Sequence, residues 1–321
     1  MKKLLALGLV AAALLAVGLW FIQGWSGAGP SARPVAVVIA PGASLAAAAE
    51  TLEQSGAIAS SRRFLVQAKL FGGGRPIQAG EYEIPARASH SRILSLLQGG
   101  RTLQRLVTVP EGLPSILVWE RLMQAEALTG TVAVPDEGSV LPDSYAYRRG
   151  EPRAAVLERM QAAMTRTLAR LWARRSPAAV VKTPGEAVIL ASIVEKETGK
   201  ASERRMIAGV YSNRLRRGMK LDADPTVIYP LTKGKPLGRR ILRSELQANN
   251  GYNTYAMAGL PVGPIANPGK ESIAAVLNPA STEALYFVAD GTGGHVFADT
   301  LAEHNANVQK WFAIRRARGE M

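Results

Sequence analysis

The chain has 321 residues, 47% of them hydrophobic, which suits about two domains with a sizeable core and excludes a disordered protein. It contains no cysteine, so disulfides, thiolate nucleophiles and cysteine zinc sites are excluded. With 39 Lys and Arg against 25 Asp and Glu the formal charge is +14, and the basic residues cluster, as at Arg204-Arg205, Arg216-Arg217, Arg239-Arg240 and Arg315-Arg316. In a cytosolic protein this would suggest nucleic acid; behind an export signal it points to anionic lipid or an acidic wall polymer, with a solvated arginine-rich surface as the plain alternative.

Lys2 and Lys3 precede an uncharged apolar run from Leu4 to Ile22. About 19 residues at ~1.5 Å each match a bilayer core, Trp20, Phe21 and Trp25 stand where an aromatic belt belongs, and the lysines place the N-terminus inside. The sequence therefore predicts a cytoplasmic stub and transmembrane helix over residues 1–25, with the remainder outside the cytoplasm. A cleaved signal peptide, ending at Ser26-Gly27-Ala28, is the competing reading. Residues 26–34, rich in Gly, Ser and Pro, read as an extended, mobile linker.

A small unit over residues 35–108 follows. Val35 to Ala40 reads as a strand, Ser44 caps a helix to about Gln54, Ser60 or Ser61 starts a second helix to Leu70, and Gly80 to Ile84 alternates as a strand. This β-α-α-β order, with the PGASL and AGEYEIP stretches, resembles a LysM-like module, which in known cases binds peptidoglycan glycan; a packing-only role is the other reading. Ser89 to Gln98 reads as a helix and Leu103 to Val109 as a strand, ahead of a domain border near 105–112.

Residues 109–321 form the second predicted domain, a mixture of helices and strands that makes the whole chain α+β. A helix is expected from Pro114 to about Ala125, and GSVLPDSYAY at 138–147 reads as an aromatic loop that lines a groove or packs. Pro152 to about Arg175 is amphipathic, with Val156, Leu157, Met160, Met164, Leu168 and Leu171 on one side and its arginines outward. Then comes TPGEAVILASIVEKET, residues 183–198. Thr183 is an N-cap, Pro184 fits the first turn, Glu186 completes a capping box and Gly199 is the stop. Its residues are apolar nearly all round, so the helix should be enclosed. A helix over Glu203–Arg217 with Ser202 as its cap and one opened by Asp224-Pro225 follow. NGYNTYAMAGLPVGPIANPG, 250–269, is too rich in Gly, Pro and Asn for regular structure and reads as a functional surface. A short helix over Glu271–Leu277, a hairpin of Leu285–Ala289 and His295–Phe297, and an amphipathic helix from about Thr300 to Arg316 close the chain.

The chemistry has few carriers. There is no Walker loop and no HExxH zinc motif, and the only histidines are His90, His295 and His304. His90 lies in the first unit, His295 reads as a hairpin residue and His304 as a solvated one. That leaves the carboxylates Glu195, Glu197, Glu203, Asp222 and Asp224, an inventory that suits glycosidic cleavage. At about 100° per residue Glu195 and Glu197 point to opposite sides of their helix. Glu197 follows Leu190, Ile193 and Val194, the bulkier side, and burial raises a carboxylic acid's pKa toward the value a general acid needs. Glu197 is therefore the preferred acid, against the alternative that both are ordinary solvated last-turn residues. Tyr252, Asn253, Tyr255 and Tyr229 are candidates to hold sugars. Glu203 reads as the partner of a nearby arginine.

ASIVEKET at 191–198, ASER at 201–204, NRL at 213–215 and DPTVIY at 224–229 resemble the YceG-like endolytic murein transglycosylase family. VPEG at 109–112, LPDSY at 141–145, YNTY at 252–255, GLPVGPIANPG at 259–269 and YFVADGTGGHVF at 286–297 add to the resemblance, with Val262 and Ser144 as small departures. It implies an inner-membrane protein whose periplasmic part couples a LysM-like unit to a catalytic domain that cleaves glycan strands internally. The implied catalytic residue is Glu197, with Thr198 and Asn253 orienting the acid or the sugar and Tyr252 or Tyr255 stacking on it. The implied partners are peptidoglycan glycan strands, the inner membrane and peptidoglycan synthases of the penicillin-binding kind, with no nucleic acid. No cofactor and no metal are implied. A hydrolase using Asp222 or Asp224 as second carboxylate, and a non-catalytic wall-binding scaffold, are the alternatives.

Overall fold

A computed structural model describes Gly18 and residues 21–320. The predicted transmembrane segment lies outside these residues apart from its C-terminal end, and among the described residues no helix is long and apolar enough to cross a membrane.

The chain divides into two compact units, one reaching to Arg105 and including Tyr147–Gly150, the other holding Leu106–Ala146 and the residues from Glu151 on. In the first, β1 (Val35–Ile39) and β2 (Gly80–Ile84) pair antiparallel with Val37 opposite Tyr82. Between them run α1 (Leu45–Gln54) and α2 (Ser61–Phe71), and α3 (His90–Gly99) follows. Ser44, Ser60 and Ser89 each accept a first-turn N–H, which satisfies one orphan donor and fixes where each helix begins. Strand alternation turns Val37, Ile39, Tyr82 and Ile84 onto Leu52, Phe64, Ile93 and Leu97. Each such fully buried aliphatic side chain stabilises by roughly 1.5–3 kcal/mol. The stretch 26–34 is not the free linker its composition suggests: Gly29 N–H donates to the Arg87 carbonyl (3.0 Å) and Arg87 N–H to that of Ser31 (2.7 Å).

The second unit opens at a strand pair on its border, β3 (Arg105–Thr108) with β4 (Ser144–Tyr147), so the end of the expected aromatic loop is a strand. The helix α4 (Ser115–Gln124) precedes it and α5 (Arg153–Ala173) follows. Val156, Met160 and Met164 form the expected buried stripe of α5. Arg153, expected outward, is buried instead. Its guanidinium donates to the carbonyls of Leu122 (2.8 Å), Met123 (3.1 Å), Ala125 (3.0 Å), Leu128 (2.9 Å) and Gly130 (2.7 Å), closing the orphan acceptors at the end of α4.

The helix α6 (Pro184–Glu197) is the centre of this unit's core: Ala187, Leu190, Ala191, Ile193 and Val194 are fully buried. Thr183 accepts the Glu186 N–H (3.1 Å), while Glu186 reaches the Lys182 N–H (2.6 Å) rather than that of the cap. A 3₁₀ turn (Ala201–Glu203) leads into α7 (Arg204–Arg216), and Ser202, expected as its cap, makes no capping bond. Then come α8 (Asp224–Thr232), the short α9 (Arg243–Gln247), α10 (Lys270–Leu277), the antiparallel β5 (Tyr286–Ala289) and β6 (His295–Ala298), and α11 (Leu301–Ala317). α10 and α7 pack directly on α6.

Residues 250–269 are irregular, as their composition requires, yet much of the segment is scaffold. Ile265, Ala266 and Asn267 are buried, and the Ile265 N–H donates to Ser192 Oγ of α6 (3.0 Å). Asn267 is a hub. Its amide donates to the Leu113 carbonyl (3.0 Å) and Ser115 Oγ (3.0 Å), and its oxygen accepts the Val140 N–H (3.0 Å). Asn267→Leu, of nearly the same shape, orphans these buried groups and should cost about 3 kcal/mol. A lower urea midpoint with unchanged slope would show this; an unchanged midpoint would mean the hub carries no stability.

Candidate active site

Two carboxylates end α6, and the structure gives them opposite fates. Glu195 Oε2 accepts the Gly269 N–H (2.8 Å), and its Oε1 lies 3.4 Å from Arg204, which also pairs with Glu111 (2.8 Å). Both oxygens of Glu195 are engaged in holding loop 250–269 to the helix. Gly269 also lets the Glu111 carboxylate lie close, since a Cβ here would displace that side chain.

Glu197 has no cation directly paired with it. Its carboxyl is enclosed although the residue sits at a helix end, and Oε1 has no protein hydrogen-bond partner. The Tyr211 hydroxyl bonds to the carboxyl from α7. Burial pushes the acid up to about 7; the Tyr211 bond and the Arg214 charge oppose this, while the Asp224 charge adds to it. Burial also raises the Tyr211 phenol well above its ordinary value, so the bond is donated by a neutral hydroxyl.

A cavity of about 540 Å³ opens on Glu197, walled by Tyr211, Arg214, Asp222, Asp224, Tyr255 and His304 among others. Three local devices place these groups. Tyr211 and Arg214 lie three residues apart on α7, hence on one face. Arg214 donates to the carbonyls of Leu285 (2.7 Å), Lys220 (3.1 Å) and Leu221 (3.0 Å) and to Asp222 Oδ2 (3.0 Å). Asp222 stands at φ 49°, the left-handed region few residues other than Gly, Asn and Asp tolerate. Its N–H donates to the Thr254 carbonyl (3.3 Å), and the Thr254 hydroxyl meets that of Thr226 at 2.9 Å, so the 222–226 segment is fastened at both ends. The Tyr255 hydroxyl donates to Asp224 Oδ1 (2.7 Å), and burial, with Asp224 beside it, keeps that phenol protonated.

A second cavity of about 370 Å³ also reaches Glu197, lined by Thr198, Gly293, Gly294, His295, Trp311 and Arg318 among others. Glu197 therefore belongs to the walls of two cavities. Here Glu203 Oε2 bonds His295 Nδ1 (2.7 Å) and lies 3.3 Å from the Thr198 hydroxyl, while its Oε1 accepts the His295 N–H (3.0 Å). Glu203 is thus the partner of a histidine, not of an arginine, and His295 is more than a hairpin residue. Gly294 lets the hairpin approach, since a Cβ there would meet Glu203 and Lys200.

Of the residues singled out in the sequence, Glu197, Asp222, Asp224 and Tyr255 line one cavity, and Thr198 lines the other with Glu197. Asn253 does not join them: it is buried, its amide donating to the carbonyls of Glu245, Leu246 and Ala248 and its oxygen accepting the Tyr255 N–H (2.9 Å). It acts by holding Tyr255's backbone. Tyr229 and Tyr252 pack against each other (ring centroids 4.9 Å), and Tyr229 lies beside the half-buried Glu137 and faces a separate, largely apolar cavity. His304, expected in solvent, lines the Glu197 cavity with its ring stacked on Tyr286 (5.2 Å), and burial and the Arg214 charge favour its neutral form. The sequence marks Tyr286 only as part of the 286–297 stretch and not as a site residue, and Trp311 has no sequence signal beyond being aromatic. Among the described residues no group of His, Asp and Glu is arranged to hold a metal ion.

Comparison with known proteins places this geometry. The profile of the YceG-like family matches residues 37–310. The chain is 28% identical over 318 residues to an endolytic murein transglycosylase of Bacillus subtilis, covering 89% of this chain and 87% of that protein. It is 28% identical over 327 residues to one of Streptococcus pneumoniae, spanning 87% of this chain and 58% of the relative. A crystal structure of a yceG-like protein from Listeria monocytogenes superposes with a TM-score of 0.54 at 26% identity, covering 85% of this chain and 98% of that one.

The raised acid makes a stability prediction. Between pH 4.5 and about 7 the unfolded chain releases the Glu197 proton while the folded chain keeps it, so stability falls as pH rises through that window. Glu197→Gln, which removes the titration, should be more stable than the wild type at pH 8 by on the order of 3 kcal/mol, read as a higher unfolding temperature, with the gain shrinking toward pH 4. A gain that does not vary with pH would contradict the assignment.

Proposed function

The chain belongs to the YceG-like family, and from that premise we infer that it is an endolytic murein transglycosylase, a lytic enzyme that cuts peptidoglycan strands internally. The observation that carries this reading is a single enclosed acid, raised to about 7, in the wall shared by two open cavities. An enzyme that cuts within a strand must hold sugars on both sides of the scissile bond, and the two cavities that Glu197 lines offer that room. Trp311 and Tyr255 offer flat apolar faces for sugar rings.

Glu197, protonated near neutrality, donates its proton to the oxygen between MurNAc C1 and the GlcNAc C4 carbon, and the C1–O bond breaks. Positive charge then spreads over C1 and the ring oxygen, in a cavity whose wall carries Asp222 and Asp224. The Glu197 carboxylate takes the proton of the MurNAc C6 hydroxyl as that oxygen closes on C1. The product is a 1,6-anhydro end, and Glu197 is left protonated for the next cut. No water is consumed. Asp222 is tied to Arg214, so Asp224, held only by a neutral phenol, keeps more of its charge for this site. The Glu203, His295 and Thr198 network fixes the turn that follows Glu197 and thereby the acid's position.

The wider setting belongs to the same proposal. Residues 4–22 anchor the chain in the inner membrane with its N-terminus in the cytoplasm, and the catalytic unit works in the periplasm beside peptidoglycan synthases. The LysM-like reading of the first unit is supported by its β-α-α-β order and the antiparallel pairing of its two strands.

Digestion of purified peptidoglycan by the full chain, with products identified by mass spectrometry, tests the enzyme. The expected products are internal fragments with anhydro-MurNAc ends, formed at a rate that falls above about pH 7 as Glu197 loses its proton. Glu197→Gln should lower the rate by roughly 10³-fold or more while the chain still folds. Reducing MurNAc ends would instead mean that Asp222 or Asp224 activates water, and undiminished cleavage by the variant would remove Glu197 from the mechanism.

A further inference from the structure

The outward face of α2 takes no part in the chemistry above. At helical spacing Arg62, Val66, Lys69 and Leu70 fall within an arc of about 100°. Val66 is 49% exposed and Leu70 66%, large values for aliphatic side chains on a helix that also has a buried face. At the end of the helix Phe71 is 47% exposed and packs against Trp25 (5.6 Å) and Phe21 (6.3 Å). An aliphatic stripe and an aromatic cluster thus stand exposed on one helix.

The chain that reaches this patch is the end of the apolar run. Residues 21–26 are helical, and the buried Gln67 of α2 donates to the Phe21 carbonyl (2.6 Å) while its oxygen meets His90 Nδ1 at 2.5 Å. A run long enough for a bilayer core therefore arrives directly on α2. Charge agrees with this placement. Residues 61–79 contain Arg62, Arg63, Lys69 and Arg75 and no Asp or Glu. An exposed aliphatic stripe bordered by basic side chains, with tryptophan and phenylalanine at one end, is the composition of a helix lying in a membrane interface. A glycan strand would ask for the reverse, a polar groove with an aromatic floor.

We propose that α2 lies on an anionic phospholipid surface, with Val66, Leu70 and Phe71 at the acyl boundary and Arg62, Lys69 and Arg75 among the headgroup phosphates. This rests on the reading of residues 4–22 as a membrane anchor and goes beyond it. The anchor alone would leave the first unit free to turn in solution; the docked helix holds it against the bilayer.

The absence of cysteine makes the test clean. Full-length chains carrying Leu70→Cys, or Ala306→Cys on α11 as an exposed control, are labelled with an environment-sensitive dye. Both are reconstituted in vesicles of phosphatidylethanolamine with phosphatidylglycerol. Quenching by brominated lipid should be several-fold stronger at position 70 than at 306, and quenching by aqueous iodide several-fold weaker. Adding Arg62→Glu and Lys69→Glu should remove most of the difference, as should vesicles of phosphatidylcholine alone. A chain that floats with the vesicles while its position 70 stays as open to iodide as position 306 overturns the proposal and leaves the anchor standing. A chain that does not float overturns both. Protection of position 70 that requires added peptidoglycan, with lipid making no difference, also overturns it and gives the face to glycan. Cleavage of peptidoglycan by the Leu70→Cys chain stays at the wild-type rate, so the outcome is independent of the enzyme reading.

Discussion

The second unit depends on one constraint: a carboxylic acid is kept in an enclosure at the end of an apolar helix. Water would solvate the Glu197 carboxylate far better than its surroundings do, and the shift from 4.5 to about 7 corresponds to a penalty of about 3 kcal/mol on the ionised form. A single neutral hydroxyl from Tyr211 and the charge of Arg214 act against that penalty and do not cancel it. The acid stays enclosed because the helix that carries it is the core. Ala187 to Val194 are packed on α7 and α10, and moving Glu197 into solvent would unpack them. Stability of the core and readiness of the acid are thus the same fact. Glu195, two residues earlier and on the other side of the helix, is met by a backbone N–H and an arginine, and serves as a tie for loop 250–269.

The two cavities that Glu197 lines are shaped by polar clamps of different kinds. On one side Arg214 brackets four acceptors from two segments, holding Asp222 in a left-handed conformation, and Tyr255 holds Asp224. On the other, Glu203 bridges the turn after α6 to the β5–β6 hairpin through both the ring and the backbone of His295. Both clamps reach from α7 or its leading turn to the hairpin region, so the hairpin and α11 complete a site whose acid lies about a hundred residues earlier. Binding energy from sugars lodged in both cavities can then be used at the scissile bond between them.

Periodicity and capping chemistry carried much of this in the sequence. The spacing of Leu190, Ile193 and Val194 placed Glu197 on the bulkier side of its helix, and Ser44, Thr183 and Gly199 marked element ends to within a residue or two. What periodicity does not hold is any contact between segments. Glu203 meets His295 across 92 positions, and neither residue's neighbours announce the other. His304 reads as solvated because it stands on a terminal helix, yet packing of α11 on β5 carries its ring onto Tyr286. The tyrosines near YNTY read as one sugar platform, but Asn253 closes a turn and Tyr252 pairs with Tyr229, leaving only Tyr255 on the acid's cavity. Composition also marked 26–34 as a free linker, although two backbone bonds join Gly29 and Ser31 to Arg87 and hold it down.

Everything rests on Glu197 being a neutral acid at the pH where it works. The most direct test is the carboxyl 13C shift of a selectively labelled chain, assigned by its loss in Glu197→Gln and followed from pH 4 to pH 9. A midpoint at about 7, well separated from the other glutamates, is what burial dictates. A midpoint near 4.5 would mean that water reaches the carboxyl and that the acid is not held ready by the fold.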